Sequence, residues 1–113
     1  MDATRLAILK RTGLASRQET EELAAQTIAI CRSAARRHRG LTPEDRDDIA
    51  MKAAERAMET IRKWQPVRAA WTTWCHHVVR SVASAWARRE RRVREACGAF
   101  AEWLEAGGEN EDE

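Results

Sequence analysis

The sequence predicts an all-α fold, a small helical bundle, on three observations. Alanine and arginine are abundant, while the 113 residues include only five glycines and two prolines. Extended runs of β-branched residues are missing, and apolar residues recur at steps of three and four along most of the chain. Helix start and stop signals fall between these apolar runs: Gly13 closes the first, Ser16 opens the second, and Thr42 and Pro66 bracket the third. A chain of this length holds one modest core. It is expected as one domain over residues 1–106, followed by an acidic disordered tail over 107–113.

The first helix is predicted over residues 3–12, with Leu6, Ile8 and Leu9 as its apolar residues and Gly13 as its end. Ser16 opens the second. Ser16 and Glu19 have the spacing of a capping box, in which each side chain satisfies the other's orphan backbone amide. Its expected buried face is Leu23, Thr27, Ile30, Cys31 and Ala34. It leaves through Arg36, Arg37, His38 and Arg39, which suit the negative carbonyl end of a helix, and Gly40 is the expected C-cap. In the third helix Thr42 is the N-cap, Pro43 takes the first helical position, and Glu44 and Asp45 complement the positive dipole end. Ile49, Ala53, Ala57, Ile61 and Trp64 form its stripe. Alanine dominates that stripe, so a neighbouring helix can approach closely. The helix should stop before Pro66, which has no amide hydrogen to donate.

A fourth helix is predicted over roughly 71–92, with Trp71, Trp74, Val78, Val82 and Ala85 on one face. A last amphipathic segment uses Val93, Ala96, Cys97, Phe100, Trp103 and Leu104, and Gly107-Gly108 breaks it. The five tryptophans are the bulky part of an alanine-rich interior. Trp64, Trp71 and Trp103 are expected in the core. Trp74 is divided between core and surface, because it and Trp71 project at neighbouring angles.

The net charge of +2 hides a strong asymmetry. Between Ile61 and Arg94 there are nine basic residues and one acid, Glu90; from Glu95 to the end there are seven acids and no base. Such polarity points to separate contact surfaces. The arginines read either as a face for a polyanion or as a solubilising surface. The acids at 44–48 read either as a dipole complement or as a partner-docking patch. The three cysteines, Cys31, Cys75 and Cys97, are odd in number and widely spaced, which fits a reducing cytoplasm better than a disulfide framework. Cys75, His76 and His77 are consecutive, and neighbours on a helix point about 100° apart, so all three cannot converge on one ion. No metal and no cofactor is expected. The sequence holds no glycine-rich phosphate loop, HExxH or nucleophile motif, and it is read as a non-enzyme. No stretch has the length of a membrane span, and no leader is visible, so a soluble cytoplasmic protein is expected.

Residues 48–92 carry a joint pattern. Asp48-Ile49 opens a helix that ends in Trp64-Gln65-Pro66; then come Arg68, Trp71-Thr72-Thr73-Trp74, Val78-Val79-Arg80 and the arginines of 88–92. In order and spacing this resembles region 2 of the sigma-70 family, the initiation factors of bacterial RNA polymerase. The preceding helix over 24–39 fits the same region. The resemblance implies that the helix matching 44–64 docks on the clamp coiled coil of the polymerase's largest subunit. It implies that the helix matching 72–92 faces the non-template strand of the −10 promoter element. By position, the polymerase-facing residues would be Glu44, Asp45, Asp47, Asp48, Met51, Lys52 and Glu55. Those facing DNA would be Arg68, Trp74, His77, Arg80, Ser81, Arg88, Arg91 and Arg92. Trp74 would be the platform for an unstacked base, and the arginines would meet phosphates.

Two departures stand beside the match. Where the family usually has Gln-Glu, this chain has Met51-Lys52, which inverts a charge on the docking face; Glu44, Asp45, Asp47 and Asp48 offer compensation. The chain also shows no second helix-turn-helix for a −35 element. The expectation is therefore a region-2 module used alone, beside a separate DNA-binding partner, as in a phage-like or gene-transfer-agent activator. It would act at initiation or in anti-termination. Two other readings stay open: a sigma mimic that binds an anti-sigma factor without touching DNA, and a helical DNA-binding module independent of polymerase.

Overall fold

The computed structural model describes residues 1–107. Among them are four α-helices, one 3-10 turn and no strand: α1 (Ala3–Arg11), α2 (Arg17–Ala35), α3 (Pro43–Glu59), the 3-10 turn Ile61–Lys63, and α4 (Trp71–Glu105). No helix among the described residues is long and apolar enough to cross a membrane. The acidic tail expected over 107–113 lies, apart from Gly107, outside the described residues. The chain divides into two compact units, Met1–Ala83 and Ser84–Glu113, and α4 contributes to both.

Local chemistry sets most boundaries. Asp2 caps α1 by accepting from the Arg5 amide at 2.9 Å. Gly13, at φ +78°, closes α1 in a Schellman motif, with the Leu14 amide donating to Leu9 at 2.8 Å and the Gly13 amide to Lys10 at 3.1 Å. Ser16 and Glu19 form the predicted capping box at 2.9 and 3.1 Å. α2 then stops at Ala35, earlier than Gly40 implied. Arg36 is its C-cap, and the Arg37 and His38 amides donate to Ala34 and Ala35, tightening the last turn. Gly40 does adopt the positive φ of +82° that favours glycine, but in the connection to α3. Thr42 accepts from the Asp45 amide at 3.1 Å and Pro43 sits at N1, as predicted. α3 ends at Glu59. Its apolar stripe runs on through the 3-10 turn, so Ile49, Ala53, Ala57, Ile61 and Trp64 are all buried despite the change of helix type.

In the first unit, α2 packs on both α1 and α3. The Thr27 hydroxyl, midway along α2, reaches the sulfur of Met58 near the end of α3 at 3.9 Å. A parallel pair would require residues 36–42 to run back the length of a helix, so α2 and α3 are antiparallel. The start of α4 pairs with α2 in the same direction: the Trp71 indole N–H donates to Thr27 at 2.9 Å, and one turn on Cys75 meets Cys31. Trp71 also donates its backbone amide to the Thr4 hydroxyl at 3.1 Å, which ties α1 to the head of α4. Trp64 and Trp71 meet edge to face, with centroids 5.1 Å apart and planes at 72°. Trp64 donates its own indole N–H to the Ala69 carbonyl at 2.9 Å. Both rings are fully buried, as expected.

The second unit departs from expectation. The helix over 71–92 and the later amphipathic segment are one continuous helix to Glu105. Nothing between Arg91 and Ala101 is a strong breaker. Gly98 costs about 1 kcal/mol relative to alanine, and Ala96, Ala99 and Ala101 around it are the best helix formers. Trp103, expected in the core, is exposed, because among the described residues of its unit α4 is the only helix and no second element covers it. Two smaller corrections concern Ile30, which is half-buried on α2, and Ala85, which is exposed on α4.

Candidate functional site

The capped start of α3 presents its acids outward. Glu44, Asp47 and Asp48 are exposed and Asp45 is half-buried. Helical spacing sets Glu44, Asp48, Met51 and Glu55 along one exposed stripe. Below it, a groove of about 340 Å³ between α2 and α3 is lined by Ala24, Ile28, Met51, Ala54 and Met58, with Lys52 and Glu55 on it as well. Met51 is 44% exposed there. The structure thus brings Met51, Lys52 and Glu55 together on an apolar groove. The four acids lie toward the N-terminal end of the same helix and line no part of it.

On α4, Trp74, His77 and Ser81 fall on one face. They line a depression of about 230 Å³ together with Val78 and, from α3 and the turn after it, Arg56, Thr60 and Lys63. A second depression of about 270 Å³ is lined by Lys63, Trp64, Gln65, Arg68, Ala69, Trp74 and His77. Trp74, His77 and Lys63 belong to both. Trp74 is half-buried, and its indole N–H is shielded and donates to no group among the described residues. Around it stand Arg56, Lys63 and Arg68, and neither lining contains a carboxylate. Sequence reasoning singled out Arg68, Trp74, His77 and Ser81 but missed Arg56 and Lys63. Their signal was present in the seven-residue spacing, two helical turns on one side of the segment leading to Trp64.

Arg80 lies elsewhere. It sits about 120° around α4 from Trp74 and lines a pocket of about 230 Å³ with Ala34, Arg37, His38 and His76. Cys75, His76 and His77 accordingly point three ways: into the core, toward Arg80 and toward Trp74. Cys75 is buried against Cys31. The hydrogen bond between the two thiols and burial push Cys75 well above the usual thiol range, and the same bond draws Cys31 down against the opposing effect of burial. Trp71 offers no platform, because its ring is wholly enclosed.

In the second unit, Arg88, Arg91 and Arg92 are exposed on α4, as are Arg89 and Arg94. None of the five forms an ion pair among the described residues, where the only ion pairs are Met1–Glu22 and Arg17–Glu21. The chain matches no protein-family model, no curated protein and no solved structure.

Proposed function

We propose that this chain is a sigma-region-2-like transcription protein that binds RNA polymerase and activates transcription of a specialised gene set, with the Trp74 face turned to unpaired promoter DNA. The observation that carries the reading is the setting of Trp74. It is a half-buried indole at the junction of two depressions, ringed by Arg56, Lys63, Arg68 and His77 with no acid in either lining. An unstacked base gains ~1–3 kcal/mol on an aromatic platform, and the flanking phosphates gain from unneutralised cations. Trp64, held edge to face by Trp71, forms part of the wall of one depression. The exposed stripe of Glu44, Asp48, Met51 and Glu55 beside an apolar groove supports α3 as the polymerase-docking element.

Co-precipitation with core polymerase tests the first half, and Asp48→Lys should reduce recovery. Binding of the resulting complex to forked promoter DNA tests the second. Trp74→Ala should weaken it roughly tenfold, corresponding to the loss of one stacked base. A chain that ignores polymerase but binds DNA with a steep salt dependence is instead an independent DNA-binding module.

A further inference from the structure

The second unit carries an apolar stripe that nothing among its described residues covers. Val93, Phe100, Trp103 and Leu104 are 49%, 57%, 43% and 46% exposed. With Ala96 and Cys97 they recur at a mean step of 3.5, the seam of a two-helix coil. Phe100 and Trp103 already stack on each other, centroids 5.7 Å apart and planes at 25°. Water-facing apolar surface of this kind marks an interaction site when it is contiguous.

Two properties say what fits it. Four of its six residues pair with one another under reversal. About a midpoint between Gly98 and Ala99, Val93 maps onto Leu104 and Cys97 onto Phe100, while Ala96 meets Ala101 and Trp103 lies over the stem of Arg94. The charge is also polarised along the same stretch. Residues 88–94 hold five arginines and one glutamate, whereas 95–107 hold Glu95, Glu102 and Glu105 and no base. Reversed pairing sets Arg92 of one copy opposite Glu105 of the other, with Arg91 and Arg94 flanking Glu105 and Glu102; its one like-charge pair is Glu95 with Glu102. Pairing in the same direction would set arginine on arginine, and like charges repel.

We infer that the 93–104 stretch of α4 pairs antiparallel with the same stretch of a second copy of this chain, forming a two-fold symmetric dimer. The inference does not depend on the transcriptional reading. The dimer is weak. Phe100 and Trp103 can each contribute ~150–250 Å² when fully buried, and only about half of each is still exposed, which falls short of the ~800 Å² per partner of a standard interface.

Sedimentation equilibrium over a concentration series reaching the hundred-micromolar range should show a reversible monomer–dimer equilibrium. Phe100→Glu should weaken it by at least about tenfold, and Glu102→Arg with Glu105→Arg should weaken it further at low salt than at high salt. A mean mass that stays monomeric throughout overturns the inference. Direction is tested separately on full-length chains in which Cys97→Ser removes the exposed native thiol. Val93→Cys and Leu104→Cys proteins should form a disulfide-linked dimer when mixed and far less of it alone. Efficient linkage of the Val93→Cys protein to itself means parallel pairing and also defeats the inference. Cys31 and Cys75 are buried, so they do not compete in the cross-linking.

Discussion

Two aromatic pairs, one in each unit, make opposite use of the same residue chemistry. Trp64 and Trp71 meet edge to face with both indole N–H groups satisfied, one by Thr27 and one by the Ala69 carbonyl. Phe100 and Trp103 stack in the open on a helix that has no other element to lean on among the described residues of its unit. In sequence the two stripes are indistinguishable, because both repeat at steps of three and four. Periodicity reports which side of a helix is apolar. It does not report whether something lies across from that side. In the first unit, the capping box of α2 and the capped start of α3 place two helices against the head of α4. In the second unit no such start signal occurs.

The sharpest test of this contrast is Trp71→Ala. It removes a fully enclosed ring that touches Trp64 and anchors α4 to α2, so unfolding free energy should fall by about 3–5 kcal/mol in urea titration. A loss under 1 kcal/mol would mean that the first pair is no better embedded than the second. Thr27→Val should rank next. It keeps the volume but leaves the Trp71 indole N–H buried without an acceptor, costing about 1–3 kcal/mol. Restoring a hydroxyl with Thr27→Ser should recover part of that loss.

These residues also show where the fold was legible. The Ser16–Glu19 box, the Thr42-Pro43 start and the Ile49-to-Trp64 stripe are local codes, written within a few residues, and each appears as read. Gly40 was misplaced because a positive φ belongs to a turn as readily as to a helix end, and the basic residues before it gave no stop of their own. No breaker stands near 92, and the change in charge there does not interrupt a hydrogen-bonded ladder. At the Trp74 surface, the α4 residues followed from their order along one helix. Arg56 and Lys63 join them only through the packing of α3 and its 3-10 extension, a long-range fact. Arg80 shows the converse: three residues from His77 in sequence, it turns toward Arg37 and His38.

One turn beyond Trp71 the same seam holds Cys75 against Cys31, and it gives a pH test of how closed the first unit is. In the folded chain Cys75 titrates above the ordinary thiol value of 9.0, because of its hydrogen bond with Cys31 and its burial. The thiol therefore keeps its proton when folded at a pH where the unfolded chain has lost it. The stability this contributes is complete below about pH 9 and declines as pH rises beyond it, by at most about 1.4 kcal/mol per pH unit. Cys31, drawn down by the same bond, acts in the opposite sense below about pH 9, so urea midpoints should fall between about pH 9 and about pH 10.5, and Cys75→Ala should flatten that fall while lowering stability throughout. An equal slope in the variant would mean that the seam admits water or that other groups dominate the alkaline limb.

The smallest effect belongs to the other side of the comparison. Trp103→Ala removes as large a side chain as Trp71→Ala does. Yet Trp103 is exposed, and its nearest aromatic partner, Phe100, is exposed with it. At concentrations where the chain is monomeric, the substitution should change the unfolding free energy by no more than about 0.5 kcal/mol. Helical content of the last turns is set by alanine and glutamate propensity and not by ring contacts, so the circular dichroism signal should hold as well. A destabilisation approaching that of Trp71→Ala would show that the 93–104 face is enclosed in solution even in the single chain, and the distinction between the two pairs would collapse.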